Sequence, residues 1–147
     1  MNRERVLRFL SPGIFLLAAL FSAQFLVRTI LDWFTPTPDF HTRATVSTVL
    51  GVATLLLAGF WGTWRSKSFA TGAVSGVVTA GLGAVMSMVG AAVLLMIWHD
   101  PQTMAAIRGS GGLEEVFSMP VMMILPGAML GCIGGVACLA TRRALSI

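Results

Sequence analysis

Four long stretches without a single charged side chain divide this sequence: residues 9–27, 44–64, 68–98 and 116–141. Each reaches the roughly 18 residues that a helix needs to cross the hydrocarbon core of a bilayer. Helix is the required form, because a lone strand in oil would leave its backbone N–H and C=O groups unpaired. A barrel would need polar and apolar residues to alternate, and none of the four stretches does so. Composition agrees: 56% of residues are apolar and 11% charged, against about 25% charged in an ordinary soluble domain. The reading is an all-α integral membrane protein, a four-transmembrane-helix antiparallel bundle forming one membrane domain over residues 1–147. Its spans fall at about 9–31, 44–64, 70–98 and 117–141. Outer loops cover 32–43 and 99–116, and an inner turn covers 65–69.

Orientation follows from the basic residues. Arg3, Arg5, Arg8, Arg65, Lys67, Arg142 and Arg143 fall on one side, against Arg28, Arg43 and Arg108 on the other. The excess of Lys and Arg marks the cytoplasmic face, so both termini are expected inside, in a bacterial plasma (inner) membrane. Asp32, Asp39, Asp100, Glu114 and Glu115 are outside and Glu4 inside. Trp33 and Trp98 mark the outer ends of the first and third spans, and Trp61 and Trp64 the inner end of the second, the headgroup level that indole rings prefer. Arg3, Arg5 and Arg8 before an apolar run resemble a signal peptide, but Leu20 and Phe21 stand where its cleavage site needs a small residue, so the segment is read as a retained span. Residues 1–10 predict a short basic amphipathic helix on the inner surface.

Local punctuation fits these spans. Ser11-Pro12 and Asp100-Pro101 each place a capping residue before a proline at the first helical position. Thr35-Pro36-Thr37-Pro38 predicts a stiff extended connector. A short helix should follow Asp100-Pro101, with Met104 and Ile107 resting on the membrane surface and Gly109-Ser110-Gly111-Gly112 ending it. Pro126 lacks the N–H that would bond to Met122, which predicts a kink in the outer half of the fourth span.

The strongest internal signal is a ridge of small residues along the third span: Gly72, Gly76, Ala80, Gly83, Ser87 and Gly90, at three- or four-residue steps. Gly127, Gly131 and Gly135 answer it in the fourth. Lipid tails are as apolar as leucine, so helices in a membrane associate by close van der Waals contact, which such faces permit. The ridges are expected to pack inside one bundle, against a second copy, or against the helix of another membrane protein.

Gln24, Arg28 and Asp32 follow one another at four-residue steps, hence on one helix face at the outer end of the first span. Arg28 is expected to pair with Asp32 or reach toward the headgroups, with a polar or ligand contact as the functional reading. His41 and His99 are metal-ligand candidates on the outer side, beside Asp39, Asp100 and several methionines, but their spacing matches no ligand pattern. Cys132 and Cys138 point about 240° apart around a helix, which excludes a bridge between them.

These features exclude several functions. Basic residues beside membrane spans do not make a nucleic-acid face. No Asp, Glu, Lys or His lies deep in the second, third or fourth span to relay protons. Neither a phosphate loop, a zinc helix nor a nucleophile elbow occurs. The expected protein is therefore a non-enzymatic accessory or scaffold subunit that needs no cofactor, its partners being the bilayer and either itself or another membrane protein. Alternatives are an oligomeric channel or permease for a small solute, and an outer-side metal- or haem-binding subunit.

Overall fold

Backbone amides surrounded by oil must find their partners within the chain, and the computed structural model meets that demand with helices throughout the residues it describes: 12–34, 40–109, 118 and 121–145. Among these, five helices of nine residues or more follow in order: α1 (Pro12–Phe34), α2 (Phe40–Ser66), α3 (Phe69–Ile97), α4 (Pro101–Gly109) and α5 (Ile124–Ala144). Four of them, α1, α2, α3 and α5, are long and apolar enough to cross a membrane, the pattern of a multi-pass membrane protein. The basic helix predicted over residues 1–10, the Ser11 cap of the first span, the Thr35–Pro38 connector and the loop carrying Glu114 and Glu115 lie outside the described residues.

The helix ends have local causes. Pro12 opens α1, at a position where a missing N–H costs nothing. Asp100 caps α4: its carboxylate accepts the Gln102 N–H at 3.1 Å and its carbonyl accepts the Met104 N–H at 3.0 Å. Between α2 and α3 the chain turns at Lys67, whose φ of 59° is left-handed. Its N–H reaches back to the Thr63 carbonyl at 2.8 Å, the arrangement that commonly closes a helix. The Ser66 hydroxyl then accepts the Ser68 N–H at 3.2 Å. At 29 residues and 1.5 Å per residue, α3 is about 43 Å long, well beyond a hydrocarbon core of roughly 30 Å.

The helices pack by two routes. Along α1, side chains of one helix fill small positions on another: Phe21 and the Ala18 carbonyl lie over Gly83, Leu26 lies over Gly90, and Trp61 of α2 covers Gly13. Helices α2 and α3 each meet α5 backbone to backbone instead. Phe21, Phe25, Trp33, Leu55, Ala80, Ala84, Ala91 and Ile107 make one buried apolar cluster.

Three sequence expectations are corrected. Ile107 is fully buried in that cluster with Met104 packed against it, so α4 is anchored in the protein and does not rest on the membrane surface. Trp33 joins the same cluster and is 4% exposed, so its indole packs into the protein; Trp98 is 40% exposed and meets Phe34 edge-to-face at 5.4 Å. Pro126 does not kink a helix interior, because α5 begins at Ile124 after a turn residue at Met123. In a first turn the proline has no N–H bond to lose.

Because Ile107 has no exposed surface, Ile107→Ala should lower stability by about 2–5 kcal/mol. Denaturant or thermal unfolding in detergent measures this, and a change near zero would mean that α4 is not part of the core.

Candidate functional site

The polar face of α1 is built by spacing alone: residues four apart stack on one side of a helix, which sets Gln24, Arg28 and Asp32 in line. Arg28 Nε lies 3.4 Å from Asp32 Oδ2. The neighbouring helix completes the group. Arg43, in the first turns of α2, brings its NH1 to 3.5 Å from Asp32 Oδ1 and donates from the same nitrogen to the Leu31 carbonyl at 2.9 Å. Asp32 Oδ1 receives no hydrogen bond, so the Arg43 contact is an ion pair without bonding geometry. One turn further along, the Ser47 hydroxyl faces the Gln24 carbonyl oxygen at 3.5 Å. Five polar side chains from two helices thus gather at one end of the bundle.

Sequence spacing found the α1 half of this cluster. Arg43 escaped it, because its position depends on how the chain returns after Phe34.

Deeper in the protein the polar groups are hydroxyls. Ser87 donates to the Gly83 carbonyl of its own helix at 2.8 Å and meets Ser22 of α1 at 3.2 Å. Thr54 and Thr29 bond carbonyls one turn back, as membrane hydroxyls commonly do. Thr63, Ser75 and Thr79 are completely buried, and their hydroxyls have no hydrogen-bond partner among the described residues.

The glycines cluster where α3 and α5 touch. A Cβ on Gly76 would strike the Gly127 carbonyl oxygen, and one on Gly127 would come within 2.9 Å of the Gly76 carbonyl oxygen. Gly72 and Gly131 form the same reciprocal pair: a Cβ on either would lie 2.9 or 2.5 Å from the other's carbonyl oxygen. Ala80 meets Gly127, while Gly135 faces Thr63 Oγ1 and the Gly72 Cα. Helix α2 joins through positions that sequence reading did not single out: Gly59 against the Gly131 carbonyl, Gly62 against Ser75, and Gly134 against the Leu56 carbonyl. Gly83, Ser87 and Gly90 belong to the contact with α1. Gly81 differs from all of these, since nothing lies within 4 Å of its Cβ position.

His41 and His99 are exposed, and His99 Nδ1 lies 3.3 Å from the Met96 carbonyl. Among the described residues no three His, Cys, Asp or Glu side chains gather as metal ligands. Cys132 and Cys138 are unbridged. At the other end of the bundle Arg142 stacks over the Trp64 ring at 5.3 Å and donates to its carbonyl at 3.3 Å.

Set against family models, curated proteins and solved structures, the chain matches none of them. Function must therefore be argued from the chain itself.

The glycine contacts make a sharp prediction. Gly76→Ala and Gly134→Ala each drive a methyl into a carbonyl oxygen of the facing backbone, and overpacking of this kind costs about 1–3 kcal/mol or more. Gly81→Ala meets open space and should be neutral or stabilising by up to about 1 kcal/mol through helix propensity. Unfolding midpoints of the three variants in one detergent check the contrast, and equal losses at all three sites would refute it.

Proposed function

We propose that this chain is a non-enzymatic accessory or scaffold subunit of a bacterial plasma membrane. In this reading the four long helices form an antiparallel bundle with both termini in the cytoplasm. The register of contacts supports the antiparallel arrangement. Gly72 and Gly76 meet Gly131 and Gly127 in reverse order, whereas Phe21 and Leu26 meet Gly83 and Gly90 in the same order. The count of seven basic residues against three supports the orientation.

The observation that carries the scaffold reading is the division of labour among the glycines. Most are consumed by packing within the chain; Gly81 lies on the outward side of α3, beside the exposed Val74 and Val85, where no internal contact requires it. A glycine there costs helix propensity and leaves a notch in the lipid-facing surface. A helix from a second copy or from another protein can enter such a notch closely.

Detergent extraction with sizing and crosslinking tests this reading. The expected wild-type result is an oligomer or a co-purifying membrane protein, and Gly81→Phe should release it while leaving the helical content unchanged. A strictly monomeric wild-type protein that recovers no partner would end the proposal.

A second reading, a permease or channel for a small, weakly polar solute, is favoured by the buried hydroxyls Ser22, Ser87, Thr63, Ser75 and Thr79, with Gln24 and Arg28 at one mouth. Reconstituted liposomes decide it. Flux of small solutes above that of empty vesicles, reduced by Ser87→Leu, is the expected outcome; flux equal to empty vesicles across a panel of ions and solutes dismisses it.

A further inference from the structure

We propose that Arg65, Lys67, Arg142 and Arg143, gathered at the end of the bundle where α2 and α5 finish, bind the headgroup of an anionic phospholipid. This rests on the helices crossing a bilayer, and it stands whether the subunit is a scaffold or a permease.

Two segments far apart in sequence supply the charge. Arg65 stands in the last turn of α2 and Lys67 makes the turn after it, while Arg142 and Arg143 stand in the last turn of α5. Arg142 joins the segments. It donates to the Trp64 carbonyl at 3.3 Å and lies over the Trp64 ring at 5.3 Å, and that indole stacks on Phe60 at 5.8 Å. Carbonyls in the last turn of a helix have no partner within it, so Arg142 serves as a link that closes the end of α2. Arg65, Lys67 and Arg143 are exposed around the link. The carboxylates among the described residues are Asp32, beside Arg43, and Asp100, just past Trp98. Both belong to the other end, where Trp98 meets Phe34 at the close of α1. Four positive charges thus share one end with no negative one among the described residues, and an anion placed among them relieves their repulsion.

The faces below the charges select a lipid over a soluble anion. Leu57, Trp61 and Arg65 follow at four-residue steps, hence on one face of α2, and all three are exposed. On α5 the exposed Ile133, Val136, Ala140 and Arg143 repeat the order at three- or four-residue steps. Each face runs from aliphatic side chain to cation, and on α2 an indole stands between, the depth at which tryptophan settles in a bilayer. Eight residues of helix separate Leu57 from Arg65, about 12 Å at 1.5 Å per residue. That length carries a face out of the hydrocarbon and across a headgroup layer of roughly 5–8 Å. Acyl chain, glycerol backbone and phosphate meet the same sequence of surfaces in the same order, whereas a soluble polyanion would touch only the outermost side chains.

The test uses the full chain, purified in a maltoside detergent without phosphate, with bound lipid counted by native mass spectrometry. Phosphatidylglycerol and phosphatidylcholine of the same acyl chains are titrated in separately. The anionic lipid is expected to bind at least about tenfold more tightly. Each basic residue near a membrane surface contributes about fivefold, so Arg65→Gln/Lys67→Gln/Arg143→Gln should bind the two lipids alike. Arg142 is kept in that variant because it holds α5 to α2. Arg108→Gln, a single exposed charge at the end of α4, should leave the preference unchanged. If the triple variant loses its helical content, Arg65→Gln and Arg143→Gln are measured singly, and each should weaken phosphatidylglycerol about fivefold.

Equal binding of the two lipids by the wild-type chain would overturn the proposal, as would a preference that survives these substitutions. A loss in Arg108→Gln as large as in Arg65→Gln would reduce the effect to net charge and remove the site. Displacement of the lipid by glycerol phosphate or by a short oligonucleotide at similar concentration would make the occupant a soluble anion instead.

Discussion

Carbonyl oxygens pressed against glycine Cα positions hold this bundle together. In water, helices are driven together by burying apolar surface; in a bilayer that drive is absent and contact itself must supply the attraction. The hydrogen that stands in place of a Cβ at Gly76 points at the Gly127 carbonyl oxygen, and the relation is returned from Gly127 to Gly76. Such Cα–H···O contacts are worth ~0.5–1 kcal/mol each. Their effect here lies less in that sum than in the distance they enforce. Gly131 touches both Gly59 of α2 and Gly72 of α3, so α5 is wedged against two backbones at once, and no side chain can be added to any of the three faces without separating the others.

Helix α1 is attached mostly by different physics. Apart from the Ala18 carbonyl against Gly83, its contacts are made by side chains: the Phe21 ring over Gly83, the Leu26 methyls over Gly90, the Ser22 hydroxyl against Ser87. Side chains can change rotamer at a cost of about a kcal/mol, whereas a carbonyl fixed in a helix ladder cannot yield without breaking its own hydrogen bond. The bundle thus consists of a stiff trio, α2, α3 and α5, with a more yielding fourth helix. The loosely paired charges of Arg28, Asp32 and Arg43 bridge α1 to that trio at one end.

How much of this was legible in the sequence depended on whether a feature was local. Uncharged length alone located the four long helices, and the Asp100-Pro101 pair located the start of α4. The small residues of α3 stood out because they recur at helical steps. Gly59, Gly62 and Gly134 did not, since Phe60, Trp61 and Trp64 break up any stripe on α2, and only the approach of α5 shows which face of α2 is bare. Hydropathy runs on from residue 116 through Pro126, so the interruption at Met123 left no trace in composition. Ile107 and Trp33 read as surface anchors by residue type and distance from the helix ends. Their burial comes from α4 folding back against the bundle, a tertiary event no window of sequence contains. Arg43 joined the α1 cluster for the same reason.

The scaffold and permease readings make opposite demands on these helices, and the placement of the hydroxyls sharpens the conflict. Thr63 and Ser75 lie in the contacts of α2, α3 and α5: Thr63 Oγ1 would sit 2.6 Å from a Cβ on Gly72 and 2.8 Å from one on Gly135, and Ser75 faces Gly62. A solute passing them would have to part backbones that have no side chains to fold away. Ser22 and Ser87 lie instead on the α1 contact, where Phe21 packs over Gly83 between them and the inner hydroxyls. A polar passage through this protein must therefore run along α1 and displace the Phe21 ring, while a scaffold needs no such movement and gains from the rigidity of the trio. The geometry of the glycines favours the second, because the stiffest contacts surround the hydroxyls that a path would need most.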